Sequence, residues 1–388
     1  MDKLFQTVER ISPVFNTYIE KDEQSGRLSE PIITTLREAG LYKLFLPSSL
    51  GGMEIDPITM AKLMEQVARY NTAAAWSVMV VNASAWWSKC LPEGGIEEIF
   101  NHSSNAFFAG AFSPPMKASR VEGGYSVNGQ NPLCSNVHEA QWVAVSAIVM
   151  QEGTPVMNNG MPEIRLVVMK AEDCHIVATW FALGMKATDS NDVAATNVFV
   201  PEHRSYIISP YTATNPYYFG ALYRFPVAGI NSCCLIAPVA LAIATNAIEE
   251  LKLLTEKTSA GSTAALKEKG SFLLKLGMAE ALVRSARTYL HQVLSDCWTK
   301  VQAGQPASLE DKAALLLAAT HTNKSCVEAV DLVYSASGTT GAYMRSKISR
   351  CFTDIQVVRQ HGFANESRFE TAARLLLGLP TDFPPAML

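Results

Sequence analysis

The chain has 388 residues, 48% of them hydrophobic, and 32 lysines and arginines against 36 aspartates and glutamates give a formal net charge of -4. That length can bury a large core in two or three packed units, and basic residues scattered without a cluster exclude a stripe that would hold a nucleic-acid backbone. The opening MDKLFQTVERISP alternates charged and apolar residues and lacks the apolar run of a secretory leader, so a cytoplasmic protein is expected.

From Leu28 onward, SEPIITTLREAGLYKLFLP places apolar residues at three- and four-residue steps and predicts a helix that stops at Pro47 and the Gly51-Gly52 turn. Pro57 to Tyr70 predicts a second helix, and NTAAAWSVMVVNASAWWSK, apolar almost all round, a third that other helices enclose. Near Phe107 the character changes to short runs rich in Val, Ile, Phe and Tyr, bounded by Gly, Pro and Asn, among them a hairpin turning at Gly123-Gly124. Past Tyr223 the helical period returns in four segments, roughly 227–257, 264–303, 308–337 and 347–377. The expected domains are thus a helical unit over 1–106, a β unit over 107–222 and a four-helix bundle over 223–388. Val227 to Ile248 is long enough to span a membrane, but Asn231, Ser232, Pro238, Thr245 and Asn246 within it favour a buried core helix, and no membrane partner is expected. Eight cysteines without a C-x-x-C pair, and no histidine at zinc-finger spacing, predict reduced, mostly buried thiols and no metal.

Four segments in this order resemble the acyl-CoA dehydrogenase superfamily, and within it the flavin-dependent monooxygenases called group D. They are LREAGLYKLFLPSSLGG with Ala73 to Trp76, GGYSVNGQNPLCSNVHEAQWVAVSAI, LGMKATDSNDVAATNVFVPEHR, and YSASGTTGAYMRSKISRCFTDIQVVRQH. The resemblance implies an N-terminal α-helical domain, a central β-barrel or sandwich and a C-terminal four-helix bundle. It also implies FAD, reduced by a separate flavin reductase, or FMN, and a homotetramer. The corresponding activity is oxygenation through a C4a-hydroperoxyflavin, with O2 and a small indole-like or phenolic aromatic as substrates. An FAD-dependent acyl-CoA dehydrogenase or oxidase is the alternative, and a non-catalytic partner protein on the same fold a third reading.

Residue by residue, the resemblance places Ser135 beside the flavin N5 and C4 edge, with Phe112, Ser113, Thr188, Ser190 and Asn191 on neighbouring flavin-facing loops. On position alone Ser135 reads as a turn residue ahead of a strand. Ser337, Gly338, Thr339 and Gly341 form a small turn whose N–H groups suit a pyrophosphate, although such a turn is also an ordinary helix C-cap. His361, seven positions after Asp354 as in those monooxygenases, is the expected acid-base group, since imidazole alone titrates near neutral pH, although on position alone it reads as a capping or surface histidine near a helix end. The remaining histidines, His102, His138, His175, His203, His291 and His321, are read as structural or exposed.

A dehydrogenase of this fold needs a carboxylate to take a proton beside a thioester. The stretches where the family keeps it read RQHGFAN and AGINSCCLIAP here, without an acid, which favours oxygenation. Two departures qualify the resemblance: Ser84 stands eight residues past Trp76 where many hydroxylases have a second histidine, and Thr353 replaces an arginine. Ser84, Trp86, Phe219 and Tyr223 are the substrate-pocket candidates, although the aromatics of Asn215 to Pro226 serve equally well as packing between units.

Overall fold

The computed structural model describes residues 2–100, 106–158, 160–207, 216–258 and 263–388; His102 and Asn215 lie outside them. Five helices build the N-terminal unit: α1 (Asp2–Ser25), α2 (Glu30–Glu38), α3 (Pro57–Tyr70), α4 (Thr72–Trp87) and α5 (Glu93–Phe100). The second expected helix is α3, which Asp56 caps by accepting from the Ile58 and Thr59 amides, with Pro57 pre-set at its first position. The first is shorter than its period suggested, because Gly40 at φ 73° turns the chain left-handed just past α2. In the enclosed helix, α4, every residue but Thr72 and Ala83 is buried. Helix α1 was not anticipated from the sequence, because Pro13 sits in its middle; it nonetheless buries Val8 and Phe15 completely.

The central unit is a sheet in the order β10-β7-β3-β1-β2-β9-β8. Its main strands are β1 (Phe108–Val121), β2 (Gly124–Cys134), β3 (Trp142–Gln151), β7 (Ile164–Lys170), β8 (His175–Val177), β9 (Asn191–Pro201) and β10 (Ser205–Ile207). The two-residue strands β4 (Thr154–Pro155), β5 (Met157–Asn158) and β6 (Met161–Pro162) lie between β3 and β7. The hairpin forms as expected, with Val121 opposite Gly124. Val143, Val145, Val167 and Met169 face the sheet's own core, while Ala144, Leu166 and Val168 face the helical core. Burial on both faces explains why these strands read as continuous apolar runs. In β1 the register shifts between Ala111 and Met116, where Pro114 and Pro115 can donate no ladder bonds.

The C-terminal unit begins with a π-helical segment, Ala228–Ile236, that runs directly into α6 (Ala237–Lys252). Pro238 can give no backbone bond to the turn before it, and the wider winding accommodates the loss. This is the helix apolar enough to span a membrane, yet 94% of its most apolar window is buried inside the fold, which makes it a core helix. Next come α7 (Gly270–Gln302) and α8 (Leu309–Ala336), the latter opened by a capping box between Ser308 and Asp311. The fourth expected segment is not one helix. It divides into α9 (Lys347–Val358) and α10 (Arg368–Leu376), and the turn between them carries His361. None of the eight cysteines is joined in a disulfide, and six of them are buried.

Candidate functional site

Three segments converge at the junction of the domains. Strand β2 ends at Cys134, and the next residue, Ser135, makes an antiparallel bridge to Gly110 of β1. Ser135 is 7% exposed, and its Oγ lies 2.7 Å from Ser190 Oγ. Ser190 Oγ lies 2.7 Å from Thr188 Oγ1, which donates to the Met185 carbonyl at 2.8 Å. At the other end of this row, Trp76 from α4 donates its indole N–H to Ser135 Oγ at 3.1 Å. In the sequence Trp76 stands only as a landmark, and a helix buried almost all round gives no signal that sets it apart.

The Trp76 ring also meets His361 edge to face, with centroids 5.5 Å apart. His361 Nδ1 accepts the Phe363 amide at 3.3 Å, so the neutral ring carries its proton on Nε2. Burial holds the imidazole well below its ordinary range, at about 4, and leaves it neutral at pH 7. The turn that bears it is fixed from two helices, since Ser232 of the π-helical segment donates to the Phe363 carbonyl at 2.7 Å and Asn323 of α8 to the Ala364 carbonyl at 3.0 Å. The sequence marks Ser232 only as a polar break in an apolar helix, and Asn323 carries no signal of its own. Such a break marks a buried partner without identifying it.

The remaining candidates are dispersed. Phe112 is 44% exposed, and its ring lies 3.7 Å from where a Cβ on Gly110 would stand, beside the Gly110–Ser135 bridge. Ser113 is exposed on the same bulge. Asn191 Oδ1 accepts the Thr179 and Trp180 amides, which braces β9 against the preceding segment. Ser337 caps α8 through a bond to the Tyr334 carbonyl, followed by Gly338 at φ 58° and an exposed Thr339, and none of the three joins the hydroxyl row.

Ser84 and Trp86 are buried, Phe219 is exposed, and Tyr223 is wholly enclosed with its hydroxyl on the Phe45 carbonyl. Trp86 Nε1 donates to the Leu222 carbonyl, Lys89 Nζ to the Tyr223 carbonyl, and Tyr218 to the Ala85 carbonyl. These bonds bind the sheet-to-bundle crossing to the N-terminal unit.

No carboxylate takes part in the hydroxyl row among the described residues. Asp189 sits between Thr188 and Ser190 at φ 51°, and its carboxylate turns to His138 Nδ1 at 2.6 Å and to Asn191 Nδ2 at 2.8 Å. Asp354 accepts from the Met185 amide at 2.6 Å and from Thr72 Oγ1 at 2.9 Å. Burial pushes its carboxyl up to about 6. It borders a cavity of about 560 Å³, lined also by Asp22, Arg69, Met185, Lys186 and Arg350.

These residues fit a flavin ring. Buried hydroxyls give one polar rim, while Phe112 and the 62%-exposed Leu133 leave apolar surface uncovered beside Ser135, which a flat amphipathic body would cover. A helical domain, a sheet domain and a helical domain that enclose such a site define an acyl-CoA dehydrogenase-type flavoprotein fold. The sequence matches the acyl-CoA dehydrogenase N-terminal domain over residues 7–99 and the acyl-CoA dehydrogenase C-terminal domain over residues 234–366, and the chain belongs to that superfamily.

Among its relatives is an indole-3-acetate monooxygenase of Pseudomonas putida, 27% identical over 92% of this chain and 89% of that protein. Another is the flavin-dependent monooxygenase oxygenase subunit HsaA of Rhodococcus jostii (strain RHA1), 22% identical over 94% of this chain and 95% of that protein. The solved structure of XiaF from Streptomyces sp. with FADH2 and glycerol superposes with a TM-score of 0.91 at 22% identity, covering 99% of this chain and 97% of that one.

Proposed function

We propose that this chain is the oxygenase component of a two-component flavin-dependent monooxygenase that hydroxylates a small indole-like or phenolic aromatic. The observation that carries the reading is the pairing of a neutral buried imidazole, His361, with a carboxylate-free row of hydroxyls across Trp76. A reduced flavin, FAD or FMN, would supply the electrons that activate O2, one oxygen atom entering the substrate and the other leaving as water. Ser135 would hold the flavin's polar rim, with Thr188 and Ser190 behind it, and Phe112 would cover one edge. His361 would offer its Nε2 proton as a hydrogen-bond donor, and the close packing of α4 would keep water out. Of the residues expected on the substrate side, Trp86 and Tyr223 are spent on packing between the units and Phe219 is exposed, which leaves Ser84; a hydroxyl without a basic function at neutral pH, it suits an indole or heteroatom better than a phenol that must lose its proton.

A separate reductase would deliver the flavin, as the oxygenase-subunit naming of the HsaA relative suggests. Eight cysteines with no disulfide among them suit a reducing cytoplasm. Exposed Leu273, Leu274, Met278 and Tyr289 along α7 support a homotetramer.

The test supplies the purified protein with a flavin reductase, ¹⁸O2 and indole-3-acetate or simple phenols. Product carrying one labelled oxygen is expected. Hydrogen peroxide alone with every aromatic, or anaerobic bleaching of bound oxidised FAD by an acyl-CoA, overturns the proposal in favour of an oxidase or dehydrogenase.

A further inference from the structure

The hydroxyl row beside Ser135 has a direction that its donor count imposes. The Met185 carbonyl can only accept, and Thr188 has a single hydroxyl hydrogen, spent on that carbonyl at 2.8 Å. In its 2.7 Å contact with Ser190, Thr188 must therefore accept and Ser190 donate. Ser190 has then used its own hydrogen, so across the next 2.7 Å contact Ser135 is the donor. Trp76 Nε1–H, which can only donate, already points at Ser135 Oγ at 3.1 Å. Ser135 is left with its hydrogen directed inward, one lone pair engaged and one lone pair free.

We infer that Thr188 and Ser190 set this direction so that Ser135 accepts from its ligand, and that the site thereby discriminates between oxidation states of the flavin. The inference rests on the placement of Ser135 at the flavin N5 edge proposed above. Reduced flavin carries a hydrogen on N5 and is a donor there; oxidised flavin has a bare nitrogen and is an acceptor. A lone pair on Ser135 matches the first and opposes the second. To serve the oxidised form the whole row must reverse, with Thr188 donating to Ser190, Ser190 to Ser135, and Ser135 outward.

Reversal sacrifices the hydroxyl bond from Thr188 to Met185. The carbonyl itself is not orphaned by this, because the Thr188 amide at 3.1 Å and Trp180 Nε1 at 3.3 Å also reach it. The discrimination is therefore the worth of one neutral hydrogen bond, about five- to tenfold in affinity. Thr188 and Ser190 act through Ser135 and are positioning residues for flavin selection.

The experiment compares dissociation constants for oxidised FMN or FAD and for the same flavin reduced anaerobically, in wild type, Thr188→Val and Ser190→Ala, with folding checked by circular dichroism. The first variant removes the cost of reversal and the second frees the Ser135 hydrogen. In both, the ratio of oxidised to reduced dissociation constants is expected to fall about five- to tenfold, through tighter oxidised binding, while the reduced constant stays within about twofold. A ratio unchanged in whichever variant folds, or a fall that lies wholly in weaker reduced binding, overturns the inference while leaving the proposed function intact. Wild-type protein that binds neither oxidation state, or Ser135→Ala protein that binds both as wild type does, overturns the placement of Ser135 itself.

Discussion

His361 enters the site as a donor. Its Nδ1 is occupied by the Phe363 amide, and burial lowers its titration to about 4, so across the neutral range it is an uncharged ring with the proton on Nε2. A free histidine would impose an inflection near pH 6.5 on product formation; here the profile is expected to stay flat down to pH about 5 and to fall only as the imidazole begins to charge. His361→Ala should bind flavin nearly as wild type does, yet lose on the order of tenfold to a hundredfold in hydroxylated product per flavin oxidised, the balance leaving as peroxide. Product assay alongside peroxide assay measures the split. Equal losses of product and peroxide would mean that the residue only holds the fold. The sequence pointed to His361 through its spacing from Asp354, but its protonation state is set by Phe363 and the surrounding burial, which no spacing reveals.

At the scale of the element, the break between α9 and α10 matters most. The helical period over 347–377 runs on through it, so the pattern alone predicts one helix; instead α9 stops at Val358, and Asn365 makes a turn ahead of α10 by accepting the Ser367 amide. The turn owes its position to bonds from segments far away in sequence, Ser232 and Asn323, which is why local patterning could not foresee it. Ser232→Ala removes the partner of the Phe363 carbonyl and should cost about 1–3 kcal/mol, read as a lower urea midpoint, together with a drop in product yield. A stability loss with full yield would show that the turn keeps its place without Ser232. Gly184 has a comparable role between the sheet and α9: an added Cβ there would come within 2.3 Å of the Thr353 backbone, so the glycine is what lets the Met185 amide reach Asp354.

For the whole molecule, the order of helices, sheet and bundle was legible because each change of hydrophobic period coincides with a change of domain. Less legible were α1, where Pro13 masks the pattern, and the joints between domains, which depend on side chains meeting across long loops. Two buried groups at those joints give the protein a characteristic response to pH. His361 titrates near 4 when folded and near 6.5 when free, so its contribution is present above pH about 6.5 and is lost as pH falls through about 4. Asp354 titrates near 6 when folded and near 3.8 when free, so its contribution is present below pH about 3.8 and is lost as pH rises through about 6. Between pH about 4 and about 6 the two slopes oppose each other, and the wild-type urea midpoint should change little. Asp354→Asn removes one of them, and its midpoint should climb with pH over that window; a slope equal to that of wild type would show that Asp354 titrates normally.

Four bonds, from Tyr218, Tyr223, Trp86 and Lys89, tie the described part of the crossing segment to the N-terminal unit. Access to the centre is then expected on the side of the exposed Phe112 in β1 and Leu133 in β2, without the two units drawing apart.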